Sequence, residues 1–319
     1  MSMGEHKGTL SIVVPAYNEE EVLESFHTRI TAVLDAVDMN AEIVYVNDGS
    51  KDRTLNILQQ LQQADPRVAI VDLSRNFGKE IALTAGLDHA HGDAVIVIDA
   101  DLQDPPELIP KLIATWQEGY DVVYAKRLSR EGEGWFKKAT AHMFYRVMQS
   151  TGRVKIPEDT GDFRLLSRRA VQALLQLREQ HRFMKGLFTW VGFRQTAVPY
   201  NRDSRHAGET KWNYWQLWNL AVEGITSFTT APLRLATYVG LCTAIGAFLF
   251  GLRVIYKTIV YGNEVAGYPS LLVVVLFLGG AQLMAIGVMG EYLGRIFNET
   301  KSRPLYFLNG HQPSKNQPE

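Results

Sequence analysis

Five short runs of apolar, largely β-branched residues, separated by stretches with helical spacing, constrain this 319-residue chain more than any other feature. SIVVP (11–15), EIVYV (42–46), VAIVDL (68–73), AVIVI (94–98) and DVVYA (121–125) read as strands. Apolar runs of this length bounded by polar residues mark strands buried on both faces. Glu19–Val37, Asp52–Gln63, Lys79–His89 and Pro106–Glu118 read as the helices between them. Strand and helix alternating at this spacing means a mainly parallel sheet with right-handed crossovers, an α/β nucleotide-binding sandwich. No G-x-G-x-x-G follows the first strand and no P-loop occurs. That argues against a dinucleotide-type pyrophosphate turn and against a phosphate-cleaving NTPase.

In open α/β sheets, ligands sit beyond the carboxyl ends of the strands. The first strand ends in Pro15-Ala16-Tyr17-Asn18-Glu19-Glu20, the second in Asn47-Asp48-Gly49-Ser50, the fourth in Asp99-Ala100-Asp101 with Gln103 and Asp104 beyond. Each alone is turn and helix-cap chemistry. Three acidic strand ends at one edge of one sheet make a common cleft the better reading. Asp48 would accept from a base or ribose, and Asp99 and Asp101 would serve ribose and metal. Two carboxylates one residue apart can hold a hard divalent cation, which in turn holds a diphosphate. Gln103 adds a neutral oxygen suited to Mg2+ or Mn2+. His27, His89, His91, His142, His181 and His206 show no metal-ligand spacing.

Charge and hydropathy divide the chain. The formal net charge of −1 gives no global field toward nucleic acid, and the single cysteine, Cys242, excludes an internal disulfide. MSMGEHKGTL has no apolar core, so no signal peptide is read. Residues 1–211 read as a soluble domain and 231–297 as a two-helix membrane anchor. Leu235–Leu252 is 18 residues without a charge and Val265–Gly290 is 26; a helix crosses the hydrocarbon core with about 20 apolar residues. Arg234, Arg295, Lys301 and Arg303 flank the pair, so both flanks and the soluble domain are expected in the cytoplasm. Arg253 is a mild counter-signal that can snorkel to the interface. Trp212, Trp215 and Trp218 precede the first span, and 212–230 reads as an amphipathic interfacial helix. Residues 298–319 read as a cytoplasmic tail, its polar end beyond Leu308 as mobile.

PAYNEE, VNDGS-KD-T, SRNFGKE, DADLQDPP, AKR and R-x-x-GETKW occur in that order. With them the chain resembles the family 2 glycosyltransferases of the GT-A fold, and more narrowly the membrane-anchored polyprenyl-phosphate glycosyltransferases, which include dolichyl-phosphate mannose synthase. RNFGKE, GDFRLLSR, FMKGLFTWVGF and GEYLGRIFNETKSRPLY look most like the bactoprenol glucosyl transferases of O-antigen modification. The resemblance spans about residues 9–307. It implies a nucleotide-sugar donor, UDP-glucose by the narrower likeness, a divalent metal, Mg2+ or Mn2+, and an undecaprenyl-type lipid phosphate acceptor in a bacterial inner membrane. Carried over by motif, Pro15, Tyr17, Glu19 and Asp48 would hold the nucleoside. Asp99, Ala100 and Asp101 would contact ribose and diphosphate, with Asp99, Asp101 and Gln103 at the metal. Arg127, Arg205 and Lys211 would hold phosphates, Arg205–Lys211 as a lid. Arg127 and Arg164 are the candidates for the acceptor phosphate.

The acceptor chemistry shapes the rest of the reading. A phosphate monoester has its second pKa near 6 and is largely dianionic at pH 7, so it arrives as a nucleophile. Lys126–Arg169 holds eleven Lys or Arg against five Asp or Glu, a net of +6 that could face anionic headgroups and the acceptor. Asp162 stands in the base position by resemblance; on chemical grounds it is equally an Asp that pairs with Arg164 or another nearby cation. Mannose and modified-sugar donors use similar scaffolds. A processive polysaccharide synthase would carry Q-x-x-R-W, absent here, and a non-catalytic nucleotide-sugar-binding protein would show a broken metal site. Self-association through the spans is plausible.

Overall fold

The computed structural model describes residues 8–128, 160–200, 231–261 and 267–315. The five expected strands are present: β1 (Thr9–Ala16), β2 (Asn40–Asn47), β3 (Val68–Leu73), β4 (Ala94–Val97) and β5 (Val122–Arg127). Between them lie α1 (Leu23–Asp35), α2 (Thr54–Ala64), α3 (Lys79–Asp88) and α4 (Ile109–Gln117), the last entered through a 3-10 turn at Pro106–Leu108. Three further strands, β6 (Thr160–Ser167), β7 (Gln195–Tyr200) and β8 (Leu308–Gln312), join the same sheet in the order β7-β5-β6-β4-β1-β2-β3-β8. Strands β4, β1, β2 and β3 run parallel, as the alternating pattern requires. β6 breaks the pattern by inserting antiparallel between β4 and β5.

The sheet is apolar on both faces because helices cover both. Leu10, Ile12 and Val14 of β1 join Phe26, Ile30 and Leu58 of α1 and α2 in one core layer. Val13, Val44 and Val46 join Leu83 and Ala85 of α3 in the other, with Val171 and Leu174 of α5 (Arg168–Leu175) and Leu187 of α6 (Met184–Trp190). Each of these side chains is at most 1% exposed, and full burial of one such side chain is worth about 1.5–3 kcal/mol. α3 lies against β1 at van der Waals contact: a Cβ on Gly86 would come 2.3 Å from Val13 Cγ1. This close seat aims the N-terminus of α3 at the carboxyl edge of β1 and β4.

Past the sheet come α7 (Ala231–Tyr261) and α8 (Tyr268–Thr300), which touch each other. Within α7, Leu235–Tyr261 is long and apolar enough to cross a membrane: 27 residues whose most apolar stretch has mean hydropathy 1.9, with none of that stretch buried in protein. Twenty-seven residues span about 40 Å, more than the ~30 Å hydrocarbon core. α8 presents Leu271, Phe277, Leu283, Met284 and Ile286 to the outside. The proposed interfacial segment 212–230 lies outside the described residues.

The expectation of a mobile end beyond Leu308 is overturned for residues 308–315, and residues 316–319 lie outside the described residues. β8 pairs antiparallel with β3, Asn309 Nδ2 donates to Asp72 at 2.8 Å, and Lys315 N donates to Pro66 O at 2.9 Å. Upstream, Tyr306 OH donates to Asp88 at 2.8 Å, and Glu299 near the end of α8 accepts from Gln180 N at 2.8 Å. A polar strand can be held this way because backbone bonds to an open sheet edge need no apolar side chains. The segment is a strap that returns from the foot of α8 to the sheet. Deleting residues 306–319 from the full chain is expected to lower its melting temperature by roughly 5 °C, as Asp72 and Asp88 lose partners and the β3 edge opens. An unchanged melting curve would show that the strap adds no stability.

Candidate active site

The carboxyl ends of β1, β2 and β3 carry three loops that are laced together by side chains. Asn18, in the left-handed region at φ 53°, accepts from Lys51 N at 2.9 Å and donates its own N–H to Ser50 Oγ at 3.1 Å. Glu19 N donates to Thr54 Oγ1 at 2.9 Å, and Glu20 binds both the backbone and the guanidinium of Arg53 at 3.1 Å. These bonds hold residues 17–22 as a turn, which is why α1 begins at Leu23 rather than at Glu19. Gly49 sits at φ +63°, and a Cβ there would lie 2.4 Å from the Arg75 carbonyl carbon. The tight turn after β2 therefore packs directly on the loop before α3.

Asp48 is buried, and its two carboxylate oxygens accept from Phe77 N at 2.7 Å and Gly78 N at 2.9 Å. It thus fixes the loop that leads into Lys79, the first residue of α3. The Lys79 ammonium bonds Asp99 Oδ2 at 2.7 Å and Asp162 Oδ2 at 2.6 Å. One cation thereby ties the end of β4 to the middle of β6. The sequence reading missed Lys79 entirely. The signal available was a lysine at the same sheet edge as three acidic strand ends, a place where like charges require a counter-charge.

The structure brings Asp99 and Asp162 together across Lys79 and leaves buried atoms open at Asp162 and Gln103. Asp162 Oδ1 and Gln103 Nε2 find no hydrogen-bond partner among the described residues. A buried polar atom left without a partner costs about 1–3 kcal/mol, so such atoms point to a ligand. Asp101 Oδ1 accepts from Gln103 N at 3.1 Å, closing the turn in which Leu102 takes φ 58°. Among the described residues no cluster of three His, Cys, Asp or Glu side chains forms a ready metal cage. Hard divalent ions that bind phosphates use one or two carboxylates and draw their remaining oxygens from water and substrate. Asp99, Asp101 and the Gln103 amide, whose two ends are interchangeable by rotation, fit that donor set.

Asp162 is buried, which alone would raise its pKa, but the charges of Lys79, Lys185 and Arg164 outweigh burial and hold it far below the ordinary carboxylate value. Arg164 does not stand at an open phosphate position. It is 4% exposed, stacks 3.8 Å over the Phe188 ring and donates to Gly161 O at 2.8 Å. Its charge serves Asp162 from within the core. Arg127 does reach the site edge. Its Nε donates to Tyr200 OH at 3.3 Å, Tyr200 OH donates to buried Asp104, and its Nη2 lies 3.2 Å from where a Gly161 Cβ would stand. Tyr17 is 41% exposed beside the β1 end, Pro15 is partly exposed, and Ala100 is buried. Arg205 and Lys211, with the expected lid, lie outside the described residues.

Glu80, next to Lys79, accepts from Met184 N at 3.0 Å and has its pKa pushed up to about 7 by burial and by the nearby Asp162 charge. Its folded-state value exceeds the unfolded value, so the folded protein retains a proton that the unfolded chain releases between about pH 4.5 and 7. Stability from this group is present at low pH and is lost as pH rises through that window. Glu80→Gln keeps an acceptor for Met184 N and removes the charge. It is expected to raise the melting temperature at pH 8, with the gain vanishing near pH 5. An equal gain at both pH values would refute the assignment.

The family model for glycosyl transferase family 2 matches residues 11–175, the span that contains all the acidic strand ends and Asp162. The chain belongs to family 2 of the glycosyl transferases. This family 2 enzyme is 55% identical over 300 residues to an uncharacterised glycosyltransferase of Synechocystis, covering 94% of each chain. It is 52% identical to a bactoprenol glucosyl transferase of Shigella phage SfX, covering 95% of this chain and 99% of that one. A prophage bactoprenol glucosyl transferase homologue of Escherichia coli matches at 52% identity, over 94% of this glycosyltransferase and 98% of its own length.

Proposed function

We propose that this glycosyltransferase moves glucose from UDP-glucose to undecaprenyl or a related polyprenyl phosphate at the cytoplasmic face of a bacterial inner membrane. The observation that carries this reading is the 52% identity to bactoprenol glucosyl transferases along nearly the whole chain. The geometry is compatible with it. Asp99, Asp101 and Gln103, just beyond the carboxyl end of β4, belong to a chain that also holds an apolar helix long enough to span a bilayer. The organisation is a catalytic domain at 1–211, an interfacial helix at 212–230, α7 and α8 as a two-span anchor within 231–297, and the strap as the return. Such an anchor favours self-association.

The reaction is a single in-line displacement. A lipid-phosphate oxygen forms a bond to the anomeric carbon as the bond from that carbon to the diphosphate breaks, UDP leaves, and the configuration inverts. Asp101, Gln103 and Asp99 would hold Mg2+ or Mn2+. When bound, that ion neutralises charge that develops on the departing diphosphate. Pro15, Tyr17, Glu19, Asp48 and Ala100 shape the nucleoside side of the cleft. Arg127, braced by Tyr200 and Asp104, offsets repulsion between the two anionic substrates. Arg205 and Lys211 complete the phosphate contacts. Asp162 remains ionised and orders the cations around it.

The test is a screen of nucleotide sugars against undecaprenyl phosphate with the product mass measured. UDP-glucose is expected to give a polyprenyl-phosphate hexose. Product from GDP-mannose alone would redirect the donor assignment.

A further inference from the structure

We infer that Lys79 is a built-in counter-cation of the active site: it bridges Asp99 and Asp162 while donor and metal are absent, competes with the divalent ion for Asp99, and so positions both carboxylates for donor entry. This deepens the proposed function and rests on its reading of Asp99 as a metal ligand.

Three observations support it. The Nζ atom lies 2.7 Å from one carboxylate and 2.6 Å from the other, and these belong to different strands. Without a cation between them, Asp99 and Asp162 would repel each other. The Lys79 backbone is anchored independently of its head group: Asp48 holds Phe77 N and Gly78 N, and Gly78 at φ 96° opens the helix. The side chain as a whole is 45% exposed, so its stem is not locked into the core, while the ammonium is enclosed by the two carboxylates it bridges. A lysine is a compact point charge on a flexible stem with three rotatable donors, which suits a cation that must yield a ligand and keep a second contact. When an ion takes Asp99, Lys79 keeps Asp162 and lies beside the new charge, with spare donors for an anionic oxygen.

The test separates this role from the transfer reaction. Mn2+ binding to the full-length detergent-solubilised protein is measured without nucleotide, by paramagnetic resonance or calorimetry, for wild type, Lys79→Met and Lys79→Arg. Lys79→Met is expected to bind Mn2+ about five-fold or more tightly, because the competing ammonium is gone; Lys79→Arg stays close to wild type. In transfer assays with UDP-glucose, Lys79→Met is expected to lose at least about ten-fold in kcat with a smaller change in donor KM, as suits the loss of an aligning charge, and Lys79→Arg to recover part of it. Equal or weaker Mn2+ binding by a Lys79→Met protein with a wild-type melting curve overturns the inference, as does absence of Mn2+ binding in that variant. The binding arm does not depend on which sugar or acceptor is used, so a wrong donor assignment leaves it readable.

Discussion

Asp101→Asn is expected to lower metal-dependent glucosyl transfer by about 10^2-fold or more, while leaving the fold unchanged. The two halves of that outcome come from different contacts. Asp101 Oδ1 accepts from Gln103 N, and an asparagine oxygen accepts the same bond. The turn that carries Gln103 is therefore retained. What disappears is a negative charge at the cleft, and charge stabilisation by a bound ion is worth several kcal/mol at a departing phosphate, with each 1.36 kcal/mol a factor of ten in rate. Asp101→Ala removes both contacts and is expected to lose the same activity and some thermal stability. Transfer at the wild-type rate in Asp101→Asn, with metal-dependence intact, would overturn the metal assignment.

Asp162→Asn is the second large effect, and its pH profile distinguishes the two roles left open by the sequence. Asp162 is held ionised through the working pH range by Lys79, Lys185 and Arg164. A carboxylate with so low a pKa is a weak proton acceptor, and general bases work best near the operating pH. The acceptor needs little such help, since a phosphate monoester loses its second proton near pH 6. Asp162 therefore orders Lys79 and the cations beyond it. Turnover with purified lipid acceptor at pH 7 to 8 is expected to fall about 10^2-fold, because neutralising a buried partner leaves Lys79 with Asp99 alone and Arg164 without its nearest carboxylate. The acidic limb of the rate profile is expected to stay near pH 6 in the variant. Near-normal turnover would remove any essential role, and disappearance of that limb would restore the base reading.

The parallel half of the sheet was legible because its physics is local: five β-branched runs must be buried, and the stretches between them carry helical spacing. The acidic strand ends were legible for the same reason, as charges placed where apolar runs stop. β6 was not, because TGDFRLLS places Asp162 and Arg164 inside a fully buried strand, which no apolar pattern signals. Those charges are tolerated there through Lys79, Phe188 and the Gly161 carbonyl, partners that only the folded chain brings near. β7 carries Pro199 and sits at the sheet edge, where a missing N–H does no harm. β8 is polar apart from Leu308 and is specified by an open edge at β3, so its sequence alone reads as a tail. Asp48 was legible as a site residue, but its inward turn toward Phe77 and Gly78, and hence the placement of Lys79, depends on a loop thirty residues away.

A nucleotide-sugar site with a divalent ion that serves a lipid phosphate ties turnover to both the metal and the lipid. Release of UDP from UDP-glucose by the full-length protein in detergent or vesicles measures it most directly, with metal and polyprenyl phosphate each supplied or withheld. Fast release is expected only when both are present, with the mass of the lipid product raised by one hexose. Equally fast release without the lipid phosphate, or with a polyprenyl alcohol in its place, would contradict it.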